Sequence, residues 1–327
     1  MKTIYIHPVY PKTGTTYIQE SILSKVNEIE RIIEFNENRV SQGPYFEYFK
    51  SNFYKNTNNK FNNFYIDKKN FYDYLLKKIT NSKNKKFILS DAGLLDPFGS
   101  PGTSNIYLLK DILKEIKLKE SIDVKFLITI RSQAELIASY YAYRNHYFDD
   151  KTDLSLLLKN KKFMDNFKFS NLLNHIKDEF ENPNILVLPL ELLKKNSIDY
   201  FRKIEIFFDI KLSSDIYKNT EKINSNSKII DNKKYFFINS YQENYLVSFL
   251  SKIHLFFKQF KFYNKFISDS DFFLNLKNQF KKFNKKTIKS KIYLSSNQTE
   301  EIKDYFKNDN LEIEKKFSVN LNNLDYF

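Results

Sequence analysis

Residues 11–16 read Pro-Lys-Thr-Gly-Thr-Thr and stand between a β-branched run, Thr3 to Ile6, and an amphipathic helical pattern. One glycine, one lysine and paired hydroxyls at a strand–loop–helix junction suit a phosphate-like anion. The unpaired N–H groups of a first helical turn point at such a ligand, and the helix dipole favours its charge. Gly14 permits a tight turn and close approach of the anion. Lys12 adds a mobile positive charge, and Thr15 and Thr16 can cap the helix or donate to oxygen. For the hexapeptide alone, an ordinary capped turn with Lys12 in solvent is the alternative. Lys12 precedes Gly14, the first glycine of the chain, so neither G-x-x-x-x-G-K-[ST] nor G-x-G-x-x-G is satisfied.

A second candidate cluster follows the apolar run Val124–Ile130. Arg131 ends that run, and Ser139 lies eight residues on, two turns into the next helical pattern. Guanidinium fork and hydroxyl can then address one phosphate, while the alternative is Arg131 pairing with Glu135 and a small packing serine. Only five arginines stand among the 53 basic residues, and a bidentate task beyond lysine is one reason to keep one. Three groups compete as a general base: Asp91, directly after the run Phe87–Ser90; His146, beyond the Arg131/Ser139 helix; and Glu20, one turn after Thr16. Asp91 is favoured by its strand-end position, with a turn-capping role as its alternative. His7, ending the first run, is open to a rim position or to packing.

The elements that must position these groups alternate. Runs at Thr3–Ile6, Phe87–Ser90, Val124–Ile130 and Ile185–Pro189 read as strands, and helical patterns fall at 15–26, 68–80, 105–117, 134–145, 165–180 and 192–208. This order predicts an α/β fold: a three-layer, P-loop-like domain over 1–230 with a central parallel sheet, whose ligands lie at the carboxyl ends of the strands. Residues 36–65, rich in Asn, Tyr and Phe, read as a long loop or lid. Residues 231–327 read as a basic, aromatic-rich helical extension packed on the core, closing with a helix at 298–317. Between 252 and 291 stand eleven lysines and two acids, interleaved with phenylalanines, which supplies most of the net charge of +14. The tract is either a solvated lysine face or a surface for peripheral contact with anionic membrane.

Composition narrows the chemistry further. The chain has no cysteine, and its four histidines show no metal-ligand spacing, so a metal site is not expected. No leader pattern or membrane-length apolar run is visible, and a cytoplasmic location is expected, with peripheral contact at the inner membrane face as an addition.

PKTGTT after the first strand joined to R-x₇-S after a later one resembles the sulfotransferases that use 3′-phosphoadenosine 5′-phosphosulfate. The resemblance implies that Lys12, Thr13, Gly14, Thr15 and Thr16 hold the 5′-phosphosulfate and that Arg131 and Ser139 hold the 3′-phosphate. It implies no metal and assigns Lys12 as electrophilic stabiliser, with Asp91 or His146 completing the catalytic set. Leu188–Leu193, Asn224–Ser227 and 294–318 are weaker echoes of the family. An Arg-Lys-Gly segment typical of cytosolic small-molecule members is absent, and bacterial enzymes acting on glycans are the closer likeness. The expected acceptor is therefore a hydroxyl or amine of a carbohydrate or glycan, with no nucleic acid as partner. Two other readings stay open at this point: an atypical P-loop nucleotide kinase, and a non-enzymatic basic protein binding nucleic acid or anionic membrane.

Overall fold

The computed structural model describes residues 1–8, 10, 12–33, 43–53, 61–91, 94, 105–144, 153–181, 183–218, 227–230, 233–241 and 286–327. Its strands β1 (Lys2–Pro8), β2 (Ile29–Arg31), β3 (Lys86–Asp91), β4 (Ile122–Ile130) and β5 (Asn184–Pro189) form one parallel sheet. The order is β2-β3-β1-β4-β5, which places β1 at the centre. Pairing runs Tyr5↔Ile88, His7↔Ser90 and Pro8↔Asp91 on one side, and Ile4↔Val124 and Ile6↔Phe126 on the other. The first strand and its loop thus lie between the strand carrying Asp91 and the strand leading to Arg131.

Residues Ile4 to Pro8 are all buried, so both faces of β1 are covered, as the near-continuous apolar runs require. On one face Tyr5 packs on Phe207 and Phe208, with centroids 5.5 and 4.5 Å away. These belong to a helix over Ser197–Phe208. Phe126 faces the other side and meets Phe180, 4.7 Å away, at the end of the helix Phe169–Glu179. Helix, sheet and helix make the three layers expected from the alternation.

The helix expected at 15–26 begins as α1 (Thr15–Tyr17), then widens into a π turn over Ile18–Ile22 and tightens into a 3₁₀ turn over Leu23–Lys25. The widened turn keeps Ile18 and Ile22 in the core while Gln19 reaches β3. Residues 36–65 are not a long loop in their described part, because α2 (Gly43–Phe53) and α3 (Phe61–Asn81) run through it. Tyr45, Tyr48 and Phe49 recur at helical spacing and meet Phe71 of α3 with centroids 5.5–6.0 Å apart. Elements α4 (Asn105–Lys117) and α5 (Gln133–Arg144) match expectation to within a residue or two at each end, and α6 (Leu154–Leu158), α7 (Lys161–Asp165) and α8 (Phe169–Glu179) follow. The helix expected at 192–208 is two, α9 (Leu190–Lys195) and α10 (Ser197–Phe208), followed by α11 (Ser214–Lys218). Asn196 breaks it, and its side chain caps α10 by accepting from the Asp199 N–H at 3.1 Å.

The helical extension over 231–327 needs correction. Strands β6 (Ser227–Ile230), β7 (Lys233–Tyr241) and β8 (Lys286–Ile292) form an antiparallel sheet in sequence order. Burial alternates along β7, where Phe236 and Ile238 are buried, while Lys291 lies 4.2 Å from the Tyr235 ring centroid. The chain divides into one unit of 1–140, 152–225 and 294–327, and a second of 141–151 and 226–293, rather than at residue 230. The terminal helix α12 (Ser296–Phe317) belongs to the first unit for a specific reason. The first N–H groups of α8 have no local side-chain cap, and Asp309 supplies one, accepting from the Phe169 and Ser170 N–H groups at 3.0 and 3.2 Å. Most of the tract 252–291 lies outside the described residues. No helix among those described is long and apolar enough to cross a membrane.

Candidate active site

The loop after β1 is shaped by two left-handed residues. Lys12 has φ 75° and Gly14 φ 87°. Gly14 is required twice over, since a Cβ there would also stand 2.7 Å from Leu190 Cδ1 at the start of α9. At Lys12 the same backbone region costs about 1 kcal/mol or more, a strain tolerated where the surroundings fix it. Between the two, Thr13 turns fully inward. Its hydroxyl donates to the Tyr10 carbonyl at 2.7 Å and lies 3.1 Å from Thr129 Oγ1 of β4. Lys12, Thr15 and Thr16 stay half-buried, at the start of the helical segment, where the first N–H groups of a helix lack intrahelical partners.

On the β4 side, Arg131 joins the second motif to the first. Its Nη1 donates to the Lys12 carbonyl at 3.1 Å, and Nε and Nη2 donate to Glu135 Oε2 at 3.2 and 2.7 Å. One N–H on each terminal nitrogen is then left without a partner among the described residues. Ser139 is buried on the same helix face, because 131, 135 and 139 are four apart. Glu135 stands between the two, and no hydrogen bond links Arg131 to Ser139 among the described residues. The Arg131–Glu135 pair is therefore formed, alongside rather than instead of the contact with the loop.

Behind Arg131 lies Glu191, the first-turn acid of α9. It accepts from the Ser132 N–H at 3.0 Å and from the Tyr326 hydroxyl at 3.0 Å, so it caps α5 and fastens the C-terminal segment at once. Asn310 of α12 completes the fastening by accepting from Gln133 Nε2 at 2.7 Å and donating to the Tyr326 carbonyl at 3.0 Å. Burial raises the Glu191 pKa, opposed by the Ser132 N–H, Arg131 and Tyr326. Burial lowers that of Arg131, opposed by Glu191 and Tyr326, and that of Lys194 falls through burial and the nearby Arg131.

The β3 side is built differently. Asp91 ends β3 beside Pro8, half-buried, and its Oδ2 accepts from the Tyr45 hydroxyl of α2 at 2.8 Å. Burial, with Asp91 second, pushes the Tyr45 pKa well above its usual value, so the phenol stays a donor. His7 is completely buried, with Nδ1 2.8 Å from Ser90 Oγ and Nε2 3.5 Å from Thr129 Oγ1. Its complete burial makes it an interior group rather than one on an exposed rim, and the same burial pushes its pKa down to about 3. Glu20 is exposed on the π turn, and His146 lies outside the described residues.

The structure thus gathers Lys12, Thr13, Gly14, Thr15 and Thr16 with Arg131 and, across β1, Asp91 on one sheet edge. Tyr45, Thr129 and Tyr326 carry no functional signal in the sequence, because their partners lie 46, 116 and 135 residues away. Glu191 falls within the weak echo Leu188–Leu193. The spacing Tyr45/Tyr48/Phe49 was the one local signal available for the helix carrying Tyr45.

No family model matches the chain, and no curated protein does. Solved structures similar to it are sulfotransferases. One is the mouse sulfotransferase SULT7A1 complexed with PAP, at 13% identity and TM-score 0.36, over 67% of this chain and 62% of that one. Another is a sulfotransferase domain from the curacin biosynthetic pathway, at 12% identity and TM-score 0.36, over 66% of this chain and 76% of that domain. The chain thus spans less than two thirds of the mouse enzyme's length.

Proposed function

We propose that the protein transfers a sulfuryl group from 3′-phosphoadenosine 5′-phosphosulfate to a hydroxyl or amine of an acceptor, with a carbohydrate or glycan as the acceptor class. The observation that carries the reading is the 3.1 Å hydrogen bond from Arg131 to the Lys12 carbonyl. It brings two anion-suited groups, distant in sequence, to one strand edge. A donor with phosphate at both ends of its ribose needs two such slots side by side.

In this reading the loop 12–16 holds the 5′-phosphosulfate, and the remaining N–H groups of Arg131, with Ser139, take the 3′-phosphate. Lys12 stabilises charge on the bridging oxygen and on the transferring group. Asp91 takes the acceptor proton as the acceptor oxygen or nitrogen bonds to sulfur. The bond from sulfur to the 5′-phosphate oxygen breaks, and 3′-phosphoadenosine 5′-phosphate leaves. The Tyr45 hydroxyl orients that carboxylate.

Calorimetry with 3′-phosphoadenosine 5′-phosphate tests the reading. Lys12→Ala and Arg131→Ala are each expected to weaken binding at least about tenfold, the loss of one charge-assisted contact. Wild-type affinity in both would overturn it. Transfer of labelled sulfate across a panel of glycans, lipids and small alcohols then identifies the acceptor.

A further inference from the structure

Beneath the loop a chain of hydrogen bonds crosses the three central strands, and its direction can be worked out. Thr13 spends its single hydroxyl proton on the Tyr10 carbonyl at 2.7 Å, so toward Thr129 it accepts. The Thr129 proton is then committed to Thr13, so Thr129 Oγ1 accepts from His7 Nε2–H, 3.5 Å away. A neutral imidazole protonated at Nε2 has an acceptor at Nδ1, which takes the Ser90 hydroxyl proton at 2.8 Å. Ser90 Oγ accepts in turn from Gln19 Nε2 at 3.0 Å, while the other Gln19 N–H goes to the Ser90 carbonyl at 2.9 Å. Each hydroxyl donates once and accepts once, from Gln19 to the Tyr10 carbonyl.

The residues beside this belt are those of the site. Thr13 lies between Lys12 and Gly14, Ser90 directly precedes Asp91, and Thr129 stands two residues before Arg131. We propose that His7 is a positioning residue: through Thr129 it fixes Thr13 and so the anion loop, and through Ser90 it holds the β3 end that carries Asp91. An apolar side chain of similar size would fill the same space and break the belt at its middle, leaving the Ser90 proton without its acceptor and Thr129 without its donor. The belt also accounts for a histidine at the centre of an apolar strand, since a flat ring with a donor and an acceptor on separated nitrogens can bridge both neighbouring strands.

The proposal rests on the donor reading above for its functional consequence, and on geometry alone for its tautomer, so its test has two arms. In the first, ¹⁵N-resolved spectra of the whole protein, with His7→Gln for assignment, are expected to show His7 as the neutral Nε2–H form at pH 7 and still at pH 5. The Nδ1–H form, or titration near the ordinary histidine value, would overturn the belt whatever the protein catalyses. The second arm measures affinity for 3′-phosphoadenosine 5′-phosphate beside melting temperature. Thr129→Val and His7→Asn, which cut the arm to the loop, are expected to weaken binding about tenfold. His7→Gln can still donate to Thr129 and is expected to bind within about threefold of wild type, and Thr129→Ser to restore it. Equal affinities for His7→Asn and His7→Gln at equal melting temperatures would reduce His7 to packing. If the wild type itself fails to bind, the donor reading fails while the spectroscopic arm still decides the tautomer.

Discussion

The two flanks of the loop handle buried polarity in opposite ways. On the β4 flank, formal charges face one another: Arg131 with Glu135 and Glu191, and Lys194 nearby. On the β3 flank, His7, Ser90 and Gln19 exchange hydrogen bonds as neutral groups, and a phenol holds Asp91. Charged partners are costly to bury and depend on each other, whereas a neutral belt costs little as long as each proton has an acceptor. The charged flank suits a site that must attract an anion. The neutral belt suits a site that must hold geometry, and it leaves Asp91 as the charge at the end of β3.

The largest effect should come from deleting one partner on the charged flank. Glu191→Ala leaves Arg131 buried with less compensation and uncaps α5, so a loss of about 3 kcal/mol is expected in chemical denaturation. Glu191→Gln retains an acceptor for the Ser132 N–H and should cost less than half as much. Comparable losses in the two variants would mean that the charge on Glu191 contributes most of its stabilisation.

Acid should separate the flanks next, because their pH dependences have opposite signs. The folded-state pKa of His7 is depressed to about 3, so the unfolded chain binds the proton first. Stability therefore falls as pH drops below about 6.5, reaching a loss of about 2 kcal/mol at pH 5. The pKa of Glu191 is raised, so there the folded chain binds the proton first, and that contribution is lost as pH rises through its folded-state value. Denaturation at a series of pH values should show a shallower acid slope for His7→Gln and a steeper one above about pH 4.5 for Glu191→Gln. Parallel slopes in all three proteins would erase the distinction between flanks.

Gly14→Ala is expected to cost about 2 kcal/mol, combining a left-handed backbone with the approach of Leu190. The same substitution should lower affinity for the donor product, since it shifts the loop between the flanks. Tyr45→Phe should be the mildest, about 1 kcal/mol or less, because the half-buried Asp91 can turn to water. Sulfate transfer by that variant, falling several-fold at unchanged donor affinity, would separate orientation of the base from binding.

Much of this was legible along the chain. The β-branched run, the glycine and the hydroxyl pair announced the loop, and the apolar run before Arg131 announced its strand. In the extension, Lys-Lys-Tyr-Phe-Phe-Ile at 233–238 carries no polar–apolar alternation, and pairing in the sheet is what buries Phe236 and Ile238. The short edge strand β2 was missed because three residues carry no period. Arg131 was the instructive case. Its spacing to both Glu135 and Ser139 is helical, so pattern alone left a salt bridge and a phosphate slot as equals, and the fold supplied the contact with Lys12 that joins it to the loop.

Local features are set along the chain: where apolar runs end, where a glycine allows a left-handed turn, and which side chains carry charge or hydroxyl. These depend on neighbours within a turn or two, and local patterns encode them. The placing of β1 between β3 and β4, the bracing of Arg131 by Glu191 and Tyr326, and the burial of His7 at the centre of a belt arise only in the folded chain. Apart from the local bond of Thr13 to the Tyr10 carbonyl, the belt joins residues more than 70 positions apart, and no short stretch of sequence contains those pairings.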